Sequence, residues 1–98
     1  YSSHLPHVAA YALLNTLKGL EQEDLSDFSG GGLGEFLRLV SSSPKMWADI
    51  FSMNEKNIAP AIDDLIKSLR ILQDKIGNDS QTLQTFLGEL KDFKESNY

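Results

Sequence analysis

Apolar positions in this chain recur at helical spacing. Val8, Ala9, Ala12, Leu13, Thr16 and Leu17 repeat at steps of three and four, which predicts a helix over residues 5–20 with one apolar face. Ser2 or Ser3 stands where a cap is needed, and Pro6 falls in the first turn, where its missing N–H costs little. A longer helix entering from upstream and bent at Pro6 fits the same residues. Gly19 marks the end. Residues 21–27 are acidic and polar and read as a surface loop. Ser29-Gly30-Gly31-Gly32 reads as a flexible junction before a helix over 33–41, with Phe36, Leu37 and Val40 on one side. Ser43 as N-cap and Pro44 at the first helical position open the next helix, which carries Met46, Trp47, Ile50 and Phe51 and breaks near Asn54.

The strongest pattern follows. Ile58, Ile62, Leu65, Leu69, Leu72 and Ile76 are spaced by 4, 3, 4, 3 and 4, a heptad-like seam with Pro60 in its first turn. Gly77-Asn78 ends it, and Asp79 or Ser80 begins a last helix with the stripe Leu83, Phe86, Leu87, Leu90 and Phe93. A short turn between two such helices predicts an antiparallel hairpin. No segment alternates with the period of a strand. The expected fold is all-α, about five helices ending in a long helical hairpin, with seams apolar enough to pack on a second copy.

Composition narrows the function. Ninety-eight residues make one small domain with a modest core. The net charge of −5, with nine scattered Lys and Arg residues, argues against a nucleic-acid partner, because phosphate binding needs a basic field. No apolar run is long enough to span a bilayer. The absence of cysteine excludes disulfides and thiolate metal sites and fits a reducing compartment, so a cytoplasmic location is expected. The chain starts at Tyr1 in mid-pattern, which predicts a piece of a longer polypeptide.

A few polar groups stand where a helical core has no need of them. His4 and His7 lie one turn apart at a helix start, suited to a ligand contact or simply to solvent. Two histidines without further His or Cys do not complete a zinc site. Gly30-Gly31-Gly32-Leu33-Gly34 fails the dinucleotide fingerprint, because no strand precedes it and the sixth position from Gly32 is Leu37. It reads either as an interhelix turn or as room for close approach of a ligand. Arg38 offers a fork that matches a carboxylate. Trp47, the single tryptophan, fits core packing or a cleft. No nucleophile–base arrangement is present.

Taken together, Ser3-His4-Leu5-Pro6-His7 with the alanine-rich helix behind it, Gly30-Gly31-Gly32, Arg38, Ser42-Ser43-Pro44 and Met46-Trp47-Ala48-Asp49-Ile50-Phe51 with Asn54 resemble the C-terminal helical domain of prephenate dehydrogenases. Residues 1 to about 58 carry the resemblance, and the last two helices match as apolar seams. It implies a 6-phosphogluconate-dehydrogenase-like C-terminal domain in an intertwined homodimer. Residues 1–98 would be the dimerisation and substrate-binding domain of a longer enzyme. An upstream Rossmann domain would bind NAD or NADP and supply the main catalytic histidine. The implied reaction passes a hydride from the prephenate ring to the nicotinamide and releases the ring carboxylate, giving 4-hydroxyphenylpyruvate in tyrosine biosynthesis. By the same resemblance Arg38 would hold a substrate carboxylate, and His7 would line the cleft at the substrate's polar end. His4 would support binding or orient its neighbour, Gly31 would give backbone room, and Trp47 would enter the cleft from the partner subunit. No catalytic residue is implied in this chain, which alone is expected to be inactive. Leu37 stands where the family often carries Thr, Ser43 where it often carries Asp, and Gly34 where a basic or aromatic residue is common. Arogenate stays open as the substrate, and a non-catalytic helical interaction module is the rival from another class.

Overall fold

The computed structural model describes residues 4–19 and 31–98, with the backbone alone at 31–33. Among them five α-helices and a 3-10 turn follow one another: α1 Leu5–Lys18, α2 Gly31–Leu37, the turn Arg38–Ser41, α3 Pro44–Met53, α4 Glu55–Ile76 and α5 Ser80–Asn97. No strand occurs among the described residues, as the periodicity predicts. Two compact units divide the chain, Tyr1–Ile62 and Asp63–Tyr98.

In the first unit His4 holds the N-cap position of α1, with no side-chain cap, and its carbonyl accepts the Val8 N–H at 3.0 Å. Ser2 and Ser3, expected as caps, lie outside the described residues, as do the loop at 21–27 and Gly30. Helix α1 closes earlier than residue 20, at Gly19, whose N–H reaches the Thr16 carbonyl at 3.1 Å.

Helix α2 is already helical at Gly31, ahead of the expected start at 33. Each glycine in a helix costs about 1 kcal/mol against alanine, and α2 packs on α1 and on the 3-10 turn. The chain leaves that turn at Ser42 in an extended conformation. Pro44 keeps Ser43 out of the α region, and the Ser43 hydroxyl accepts the Met46 N–H at 3.2 Å.

A single residue joins the next two helices. The Asn54 N–H is shared by the carbonyls of Ile50 and Phe51, both at 3.2 Å, and its side-chain amide donates to the Ile50 carbonyl at 2.7 Å. Its own carbonyl accepts the N–H groups of Asn57 and Ile58 at 2.9 Å. Because α4 therefore starts at Glu55, Pro60 sits in the second turn rather than the first. The proline has no N–H, so the Lys56 carbonyl loses its i+4 donor.

Among the described residues of this unit the buried apolar side chains are Ala10, Leu17, Ile58 and Ala61. Of the predicted α1 stripe Val8, Ala9, Leu13 and Leu17 are covered, but the buried side extends further round the helix. Ala12 and Thr16 are exposed, with the Thr16 hydroxyl donating to the Ala12 carbonyl at 3.0 Å, whereas His4, His7 and Tyr11 are half-buried. Ring contacts with α3 decide that extension.

The second unit holds the end of α4, a turn at Gly77–Asn78 and α5. The Gly77 N–H reaches the carbonyls of Gln73 and Asp74 at 3.1 Å, and the Asp79 carboxylate accepts the Thr82 N–H at 2.8 Å as N-cap of α5. The Lys75 ammonium stands 5.8 Å from the centre of the Phe86 ring, within cation–π reach. Leu83 and Phe86 are half-buried, but Leu69, Ile76, Leu90 and Phe93 are exposed. The apolar seam of these helices is only partly covered within one chain.

Candidate functional site: a ring cluster between α1 and α3

His4, His7 and Tyr11 fall at i, i+3 and i+7 on α1, and Trp47 and Phe51 at i and i+4 on α3, so each set shares a face. The two faces meet. The His7 ring stacks on the Trp47 indole with 3.8 Å between centres and 22° between planes. His4 meets the same indole nearly edge-on, at 6.5 Å and 82°. Phe51 lies 5.5 Å from Trp47 at 46°, and Tyr11 meets Phe51 edge-on at 6.0 Å and 85°. The two edge-on pairs, His4–Trp47 and Tyr11–Phe51, stand at separations at which the positive edge of one ring finds the negative face of another, whereas His7 and Trp47 are stacked face to face. The Trp47 indole N–H and the Tyr11 hydroxyl are both buried without a hydrogen-bond partner among the described residues.

Arg38 opens the 3-10 turn, which packs on α1, the histidines' helix. Its guanidinium is held by Glu35, one nitrogen donating to both carboxylate oxygens at 2.9 Å. The pair is open to water, with side chains 72% and 73% exposed, and such pairs contribute about 0–1 kcal/mol. A competing carboxylate therefore meets little resistance. Gly31 is the first residue of α2, which also packs on α1.

So the described chain brings His4, His7 and Trp47 into direct ring contact and sets Arg38 and Gly31 on elements that pack on the same helix. Trp47 lies on histidines of its own chain. An open-sided cavity of about 400 Å³ adjoins His4 on the side of Val8, with Asn54 and Lys56 at its rim and Ile58 and Ala61 among its apolar walls. His7, Arg38 and Trp47 do not line it. Glu35 and Tyr11 escaped sequence reasoning, and Phe51 was read only as part of an apolar face and of the family motif. Each carried a spacing signal, at three before Arg38, four after His7 and four after Trp47.

Among the described residues no group of three or more His, Cys, Asp or Glu is gathered for a metal. None of the described helices is long and apolar enough to cross a membrane. A dinucleotide does not fit these residues either. Gly31 and Gly32 are already helical, and no strand occurs among the described residues.

The architecture and motif order have counterparts in known proteins. The family described as "Prephenate dehydrogenase, dimerization domain" matches residues 1–92, and the chain belongs to that family. The cyclohexadienyl dehydrogenase of Zymomonas mobilis subsp. mobilis is 33% identical over 97% of this chain and 32% of its own length. The prephenate dehydrogenase of Bacillus subtilis is 28% identical over 95% of this chain and 26% of its own length. Among solved structures, the prephenate dehydrogenase from A. aeolicus in complex with hydroxyphenyl propionate and NAD+ superposes with a TM-score of 0.82 at 38% identity, over 96% of this chain and 34% of that one. The chain thus spans about a third or less of the length of these relatives.

Proposed function

We propose that the chain is the helical, dimer-forming and substrate-facing domain of a longer NAD- or NADP-dependent cytoplasmic dehydrogenase. That enzyme would convert prephenate to 4-hydroxyphenylpyruvate and CO2 in tyrosine biosynthesis. The observation that carries the reading is the contact of His4 and His7 with Trp47, beside the turn that bears Arg38, in a chain of this family. The A. aeolicus relative is solved with hydroxyphenyl propionate, a phenol whose side chain ends in a carboxylate. A ligand of that kind needs a cation for its carboxylate and flat or hydrogen-bonding groups for its ring and polar end. Arg38, exchanging Glu35 for a substrate carboxylate, supplies the first. His7, supported by His4 and backed by Trp47, supplies the second, and Gly31 leaves backbone room. The dinucleotide, which accepts the hydride, belongs to parts of the longer protein outside this chain.

A homodimer goes with this reading. Leu69, Ile76, Leu90 and Phe93 are each more than half exposed in the single chain, an apolar face that calls for a cover. The family's description as a dimerization domain supports a second copy as that cover. The net charge of −5 argues against nucleic acid as the partner. Sedimentation equilibrium at micromolar concentration is expected to show dimers, and monomers alone would remove the second copy from the proposal.

The name of the Zymomonas mobilis relative favours a second reading, a wider cyclohexadienyl substrate range that takes in arogenate. Cofactor reduction by the full-length protein, with prephenate or arogenate and NAD or NADP, tests both. A substrate-dependent signal that collapses in Arg38→Ala supports the enzyme. Silence in all four combinations would leave the non-catalytic interaction module as the better account.

A further inference from the structure

We propose that Phe51 is a positioning residue: it sets the plane of the Trp47 indole and, through it, the plane of the His7 imidazole. The role of His7 in a substrate cleft rests on the functional reading above, whereas the ring geometry stands without it. Trp47 has no hydrogen bond to hold its indole N–H among the described residues, where packing contacts orient the ring. His7 covers one face nearly parallel at 3.8 Å, and His4 approaches with an edge. Phe51, one turn further along α3, supplies the contact from the indole's own helix, at 5.5 Å and 46°. Phe51 is itself met edge-on by Tyr11, which sits one turn beyond His7 on α1. The contacts therefore close a circuit, from His7 to Trp47, to Phe51, to Tyr11 and back along α1 to His7. At a stacking distance of 3.8 Å the imidazole and indole tilt together. A leucine at position 51 would fill space but present no flat face.

The test uses the full-length protein labelled with 13C-histidine. Its His7 ring resonance is assigned by loss in His7→Gln, and stacking on the indole displaces it upfield. Phe51→Leu is expected to reduce that displacement by about half, and Phe51→Tyr to keep it. In the same variants kcat/KM for prephenate falls about 2- to 12-fold in Phe51→Leu, the range that aromatic pair geometry is worth, and recovers in Phe51→Tyr. KM for the dinucleotide stays unchanged. Phe51→Met is the second ring-free variant if leucine impairs folding. A variant that melts earlier yet keeps both the wild-type His7 resonance and the wild-type kcat/KM would overturn the proposal and leave Phe51 as packing. If the wild type turns over no prephenate, the functional reading fails, and the resonance alone decides whether Phe51 orients His7.

Discussion

The imidazole of His7 lies flat against the indole of Trp47, 3.8 Å between ring centres and 22° from parallel, so a polar face of α1 is turned inward onto α3. The same indole touches His4 and Phe51. One side chain thus joins the two helices and orients the candidate ligand groups.

Trp47→Ala should destabilise the fold. Truncating a core Trp costs about 3–5 kcal/mol, and a half-buried ring belongs at the lower end, about 3 kcal/mol. Denaturant unfolding with an unchanged m-value measures it. A loss under about 1 kcal/mol would mean that the rings meet without holding α1 to α3.

Arg38→Ala should weaken prephenate binding far more than dinucleotide binding. Losing a charge-assisted contact costs on the order of 1.5–3 kcal/mol, a rise in KM of about 10- to 150-fold. Stability should hardly change, because the Arg38–Glu35 pair is exposed. An unchanged Michaelis constant would remove Arg38 from the site.

Acid should erase the cap of α5. Hydrogen bonds from Thr82, its backbone N–H first and its hydroxyl second, hold the Asp79 carboxyl below the ordinary carboxylate value. A depressed folded value stabilises above the unfolded one and is lost as pH falls through the folded one. Asp79→Ala should therefore melt below wild type at neutral pH, with the gap closing in strong acid. A gap that persists there would trace to something other than the charged cap.

Gly88→Ala should stabilise α5. Gly88 lies inside the helix, across from the Leu83–Phe86–Leu90 stripe, and an added Cβ meets no heavy atom within 4 Å. Removing backbone freedom there contributes about 0.5–1 kcal/mol, a rise of a few degrees in Tm. A lower Tm would place a partner surface against that side.

The Gly77–Asn78 stop, the Asp79 cap and the Ser43–Pro44 start were legible because each is closed by bonds reaching only three or four residues along the chain. The Glu35–Arg38 pair was equally local and went unread. The start of α4 was harder, since Asn54 both ends one helix and begins the next, and this moved Pro60 back a turn.

The sequence by itself determined the five helices of the described residues, most of their caps and the apolar seams of α4 and α5, because periodicity and capping are properties of neighbouring residues, and it carried the resemblance to the family. Only the tertiary structure decided that His4, His7 and Tyr11 join Val8, Ala9, Leu13 and Leu17 on the covered side of α1. Hydropathy favoured Ala12 and Thr16 over the histidines, and the rings of Trp47 and Phe51, distant in sequence, reversed that order. A flat aromatic surface rewards only a ring brought onto it, and no local pattern along α1 records that Trp47 will be there.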